Sequence, residues 1–170
     1  MIKLIIIVAV VLVVMAALAL AAKLKTSASE KSDVYFLRKT LFTPAERSFL
    51  GVLEPALPPG TRVFGKVRLE DVFGVKSGLD RGKRQAARNR INRKHVDFLL
   101  VRASDLIPLA GIELDDSSHE EEERQQRDIF VDSVFASAGL PLLHMPAQKS
   151  YSTVEVRAQL ATLLAPSATR

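Results

Sequence analysis

The chain has 170 residues, 48% of them hydrophobic, and a formal charge of +5, which suits one ordinary folded domain and excludes a disordered polyelectrolyte. It contains no cysteine, which excludes a disulfide framework, a thiolate metal site and a cysteine nucleophile. Its charge is unevenly placed: seven Lys/Arg and no acid lie from Arg81 to Lys94, then ten acids and two arginines from Asp105 to Asp132, an arrangement suited to a polyanion that meets a metal ion.

The chain opens with nineteen uncharged residues, 4–22, bracketed by Lys3 and by Lys23 and Lys25. As a helix they reach about 28 Å, close to the hydrocarbon thickness of a bilayer. Ala19-Leu20-Ala21 looks like a signal-peptide cleavage site, yet the apolar region of such peptides usually spans only about 7–15 residues. The expectation is therefore an uncleaved single-pass anchor over residues 1–24, with a cleaved, exported chain as the alternative. Lys3 precedes the span, whereas Lys23, Lys25, Lys31, Arg38 and Lys39 follow it, so the positive-inside rule predicts a cytoplasmic C-terminal domain. Residues 25–34 are polar and unpatterned and read as a linker. The domain proper is expected over residues 35–165, with a tail at 166–170.

Thr43-Pro44-Ala45-Glu46 predicts a helix start, with Thr43 as N-cap, Pro44 at the first position and Glu46 closing a capping box. Ala45, Phe49, Val52, Leu53 and Ala56 then share a face, and Pro55, Pro58 and Pro59-Gly60 end the helix. Val63, Gly65, Val67 and Leu69 alternate with other residues, many of them charged, as in a half-buried strand. The basic stretch RGKRQAARNRINRK has only Ile91 as a large apolar residue and predicts an exposed arm or short surface helix. Val96–Val101 and Ile107–Leu114 read as two strands joined by a turn at Ala103-Ser104-Asp105. Residues 120–138 predict a helix with Val131, Val134, Phe135 and Ala138 inward and Gly139 as its stop. A fourth strand follows over 140–145. Ser152 then caps a last helix with Val156, Leu160, Leu163 and Leu164 apolar. The fold class is α/β, in the order helix, three strands, helix, strand, helix, behind the N-terminal transmembrane helix.

Strand alternation places Asp97 with Leu99 and Val101, and Val96 with Phe98 and Leu100, on opposite faces. Glu113 and Asp115 share a face. If the second and third strands form a hairpin, Asp97 sits beside Glu113, and three carboxylates gather at one end of the sheet. Their repulsion calls for a hard divalent cation, Mg²⁺ or Mn²⁺, held by Asp97, Glu113 and Asp115. Such an ion would orient a phosphodiester and lower the pKa of an attacking water. His119 is the candidate acid/base or water holder, and Glu46, flanking the apolar face of the first domain helix, is a further candidate for the site. Simpler roles compete with these: Asp97 as a partner of Arg93 or Lys94, Asp115 as a turn or cap residue, His119 as a surface residue at a helix start and Glu46 as a capping residue. Residues 120–123 suit the positive end of a helix dipole. Arg81, Lys83, Arg84, Arg88, Arg90, Arg93 and Lys94 are the candidate phosphate contacts. No aromatic run accompanies them, which argues against stacking on single strands.

The blocks LRKTLFTPAERSFLGVLEPAL, VFGKVRLEDVF, RKHVDFLLV, AGIELDDSSH and RQQRDIFVDSVFASAGLPLLHMPAQKSY together resemble the domain-of-unknown-function family numbered 2726. That family in turn looks like a branch of the restriction-endonuclease-like PD-(D/E)XK superfamily, near the very-short-patch-repair endonucleases. The resemblance implies a restriction-endonuclease-like core. It matches Asp97 to the motif's first acid, Glu113 to its second, His119 to the histidine after the strand, and Glu46 to the first-helix acid. Asp115 stands where the motif has a lysine, and Arg124 or Arg127, on the next helix, is a candidate substitute for that positive charge. His144 stands where relatives often carry arginine. The function so implied is a metal-dependent nuclease acting on DNA, which the N-terminal span would anchor in the bacterial inner membrane. Its rival is an inactive nucleic-acid-binding or membrane-tethered interaction module on the same fold.

Overall fold

The structure is a computed structural model that describes residues 1–29, 34–115 and 121–165, with side chains left aside at residues 4, 24–29 and 121–127. The expected roles of His119, of the acids at 120–123 and of Arg124 and Arg127, together with the tail at 166–170, lie outside the described residues or side chains. The chain divides into two compact units, Met1–Leu41 and a second from Phe42 onward.

The first unit holds α1 (Ile2–Ser29). Within it, Ile5–Lys23 has a mean hydropathy of 3.3 and holds no buried residue among those described. Its length and composition fit a membrane span or a signal sequence alike. Residues 35–41 follow without regular structure.

The second unit is a mixed α/β domain of α2 (Pro44–Ala56), β1 (Thr61–Arg68), α3 (Leu69–Val72), α4 (Arg81–Asn92), β2 (His95–Arg102), β3 (Pro108–Asp115), α5 (Glu121–Ala138), β4 (Leu142–Pro146) and α6 (Thr153–Leu163). The four strands form one sheet in the order β1-β2-β3-β4. β1–β2 and β2–β3 pair antiparallel, and β3–β4 pair parallel. The expected hairpin of the second and third strands is present, and α5 makes the crossover that a parallel pair requires.

Two apolar clusters sandwich the sheet. Phe49, Leu53 and Ala56 of α2 and Val156 and Leu160 of α6 meet Phe98, Leu100, Ala110, Ile112 and Met145 on one side. Leu69, Phe73, Ile91, Val131 and Phe135 meet Val96, Leu99 and Val101 on the other. β2 is buried along six consecutive residues, Val96 to Val101, all of them apolar except Asp97, as suits a strand covered on both faces. Gly111 has no room for a side chain: a Cβ there would lie 2.5–2.6 Å from the Phe135 ring.

Several local expectations need correction. α2 continues through Pro55, since a proline in the last turn need not end a helix where the chain is about to leave it. Ala138 is exposed, so the inward face of α5 ends with Phe135. The first strand ends at Arg68, and Leu69 starts the short helix α3, which the sequence pattern did not suggest. Val96 packs with Leu99 and Val101, not with Phe98 and Leu100. Its aligned partner Val67 packs on that same second cluster. The alternation breaks at the intervening position, where Lys66 has a left-handed backbone, φ +55.

Candidate acidic pocket

Local sequence sets the first side chain of the pocket. At the start of α2, the Glu46 N–H donates to Thr43 Oγ1 at 3.3 Å, and the Thr43 N–H donates back to Glu46 Oε2 at 2.8 Å. This is the predicted capping box, and it fixes the Glu46 rotamer. The remaining oxygen, Oε1, accepts from Lys66 Nζ. Glu46 is thus both a cap and a wall of the pocket, and it is buried.

Lys66 lies between Gly65 and Val67, whose partners are Phe98 and Val96; the register therefore sets Lys66 opposite Asp97. Its ammonium donates to Asp97 Oδ1 at 2.8 Å, while Asp97 Oδ2 accepts the Leu114 N–H at 3.0 Å. One buried carboxylate therefore ties β1 to β3 across β2. Burial works against the Asp97 charge, but the bonds from Lys66 and Leu114, the Lys66 charge and a hydrogen bond with Glu113 outweigh it and hold the pKa below the usual carboxylate range. Burial likewise works against the Lys66 charge, and its two carboxylates outweigh it and raise that pKa. Both directions agree on an ionised pair. Asp97 pairs with Lys66, not with Arg93 or Lys94.

Glu113 comes beside Asp97, as the hairpin predicts: the antiparallel register aligns Phe98 with Ile112, and both acids line the same two hollows. Neighbouring carboxylates repel one another in such a site unless a proton or a cation offsets their charge. A pocket of about 240 Å³ lies over them, lined by Glu46, Lys66, His95, Asp97, Glu113 and Asp115 among others. A second hollow of about 120 Å³ is lined by Arg93, Lys94, His95, Asp97, Glu113 and Val131. The acids thus sit where the two hollows share walls, and the second brings the cations that follow α4 up to them.

Asp115 lines the larger pocket but also turns to β4: its Oδ1 lies 3.0 Å from His144 Nδ1, and His144 Nε2 lies 2.9 Å from Asp132 Oδ1 on α5. Only an imidazole carrying both protons donates at both nitrogens. Burial lowers the His144 pKa, but the two aspartates outweigh it and raise it. Among the described residues no three His, Cys, Asp or Glu side chains converge as one metal-ligand group. Of the expected set, Asp97 and Glu113 lie side by side in the pocket lining, while Asp115 lines the pocket and also bonds to His144. A pair still fits magnesium, which commonly takes one or two carboxylates and keeps several waters.

Of the expected phosphate contacts, Arg81, Lys83, Arg84, Arg88 and Arg90 are exposed on α4. The Arg90 guanidinium lies 4.2 Å, and Lys94 Nζ 5.6 Å, from the centre of the Phe130 ring. These two cations help pack α4 against α5. Lys83 pairs with the N-cap Asp80 at 3.4 Å.

Sequence reasoning missed Lys66, His95, Asp132 and Asp128 as members or neighbours of this site. A half-buried lysine in VFGKVRL was the one available signal for Lys66; its partner depends on strand register.

Fold and pocket define a mixed α/β domain with a lysine-braced acid pair at one end of a four-stranded sheet, preceded by an apolar helix. The chain belongs to the family described as protein of unknown function (DUF2726), which matches residues 38–163. No curated protein and no solved structure matches it.

Proposed function

We propose that this is a membrane-anchored, metal-dependent nuclease-like protein that acts on DNA with a restriction-endonuclease-like core. The observation that carries the reading is the juxtaposition of Asp97 and Glu113 in the lining of a polar pocket whose neighbouring hollow is walled by Arg93 and Lys94. The element order and the hairpin joining the two acids support the core. In this reading Asp97 and Glu113 hold Mg²⁺ or Mn²⁺, which when bound supplies positive charge at the phosphodiester and acidifies a water. Lys66 orients Asp97 and brings to the pocket the positive charge that Asp115 cannot. The α4 cations Arg81, Arg84 and Arg88 hold backbone phosphates. His95 puts an imidazole on the pocket wall, beside the expected acid/base role of His119, with Asp115 in support.

A second reading, an inactive binding module, is favoured by one observation: the Lys66 ammonium already pairs with both Asp97 and Glu46. One experiment separates them. The detergent-solubilised chain should cleave DNA with Mg²⁺ or Mn²⁺ and bind the ion by calorimetry, and Glu113→Gln should abolish both. DNA binding without cleavage or ion binding favours the module.

A further inference from the structure

Val34, Tyr35, Phe36 and Leu37 form an unbroken run, exposed at 69, 85, 85 and 96%, and Leu41 is 73% exposed. After α1, the other exposed large apolar residues among those described stand singly or, at Leu106 and Ile107, as a pair. Single exposed apolar residues are ordinary, but a contiguous run marks a surface that is covered by something. The exposure ends abruptly: Phe42 turns into the domain and stacks on Phe98 with ring centres 5.5 Å apart.

The chemistry of the run indicates its cover. Two aromatic rings sit between aliphatic side chains, and Arg38 and Lys39 follow at once, both exposed. Aromatic rings favour the headgroup zone of a bilayer, and cations beside them pair with anionic lipid phosphates. The chain also restricts where the run can go. Lys23 ends the apolar span, and the eleven residue steps to Val34 reach at most about 40 Å when fully extended. Residues 34–41 belong to the same compact unit as that helix.

We propose that residues 34–39 form a second membrane contact, lying in the interface of an anionic bilayer with Val34, Tyr35, Phe36 and Leu37 among the acyl chain ends and Arg38 and Lys39 on lipid phosphates. The proposal rests on Ile5–Lys23 being a span. It makes the junction between anchor and domain a lipid-reading element.

The chain has no tryptophan, so Phe36→Trp is a unique fluorescent reporter. The full-length variant is reconstituted into vesicles of phosphatidylcholine alone, or of equal parts phosphatidylcholine and phosphatidylglycerol, each with lipid brominated near the headgroup. Blue-shifted emission and bromine quenching are expected in the anionic vesicles. Adding Arg38→Gln and Lys39→Gln should lower the ratio of inserted to free segment about 25-fold, taking about fivefold per cation. Phe64→Trp, on the exposed side of β1, should stay unquenched. Unquenched, water-like emission from the Phe36→Trp reporter in both vesicles overturns the proposal. So does a blue shift without quenching that grows with protein density, which means contact between copies. Carbonate extraction reads the span separately: release of the chain overturns span and contact together, whereas a retained chain with an unquenched reporter overturns the contact alone.

Discussion

Lys66 holds two carboxylates on one ammonium at a backbone angle, φ +55, that costs a residue with a Cβ about 1–2 kcal/mol. The strain persists because leaving Asp97 buried without its cation would cost more. Lys66→Ala should therefore destabilise the domain by about 3 kcal/mol at neutral pH, as chemical denaturation would register. Lys66→Gly removes the same charge but accepts positive φ freely, and should be about 1 kcal/mol less damaging. Equal losses would mean that the backbone at Lys66 is unstrained. The pH dependence follows from the same neighbourhoods. Asp97 has a lowered pKa, so its contribution is complete above the ordinary carboxylate pKa and is lost as pH falls through the lowered value. Lys66 has a raised pKa, so its contribution is complete below the ordinary lysine pKa and is lost as pH rises through the raised value. Near neutrality the pair is flat, and His144 sets the slope. Its pKa is raised, so its stabilisation is complete below the ordinary histidine pKa and is lost as pH rises through the raised one. Urea unfolding at about pH 5.5 and about pH 8.5 should show the protein more stable at the lower value on this account, and His144→Gln should remove that difference. A variant that keeps the wild-type slope would place the titrating group elsewhere.

At the scale of elements, what the sequence made legible was what is local. The capping box of α2, the Gly139 stop of α5 (φ +68) and the Ser152 cap of α6 each rest on residues within one turn. The hairpin also put Glu113 beside Asp97 correctly, because strand register over a short turn leaves few choices. What depends on distant pairing was not legible. The Lys66–Asp97 bond joins residues 31 apart, and the Asp115–His144–Asp132 bridge ties three elements together. The four-residue α3 is too short to carry a period. α4 shows the same division: its basic composition was plain, but the stacking of Arg90 over Phe130 needed the docked helix α5. The cations of α4 should therefore differ in role. Changing Arg81, Arg84 and Arg88 together to Gln should weaken DNA binding for all sequences alike and reduce the slope of log K against log salt by about 2–3, since each lost phosphate contact removes about 0.9 from it. Arg90→Gln should leave that slope nearly unchanged and instead lower the melting temperature, by exposing the Phe130 face to water. Salt titrations of the two variants side by side decide it; a slope that falls for Arg90→Gln and not for the triple variant would reverse the assignment.

For the whole molecule, the N-terminal helix decides where any pocket chemistry takes place. Its 19-residue apolar stretch is longer than the apolar region of most signal peptides and matches a bilayer's hydrocarbon thickness. It is flanked by one cation before it and by Lys23, Lys25, Lys31, Arg38 and Lys39 after it. Each lysine or arginine held back from crossing biases the flank that carries more of them toward the cytoplasm. The expected arrangement is therefore a retained helix with the α/β domain on the cytoplasmic side, the compartment in which DNA is found. In right-side-out spheroplasts, added protease should leave the domain intact; in inverted membrane vesicles it should digest it. The chain in both preparations should keep its N-terminal residues, with no new terminus near Ala22 or Lys23. Domain fragments released from intact spheroplasts would put the domain outside, beyond reach of chromosomal DNA, and a mature chain starting near Lys23 would make the helix a signal sequence. Either result removes the membrane-anchored nuclease reading even if the pocket binds metal, because any ion binding at Asp97 and Glu113 would be a property of the domain alone. Topology and metal binding are thus independent requirements of the proposed function, and the protease experiment tests the one that the pocket cannot.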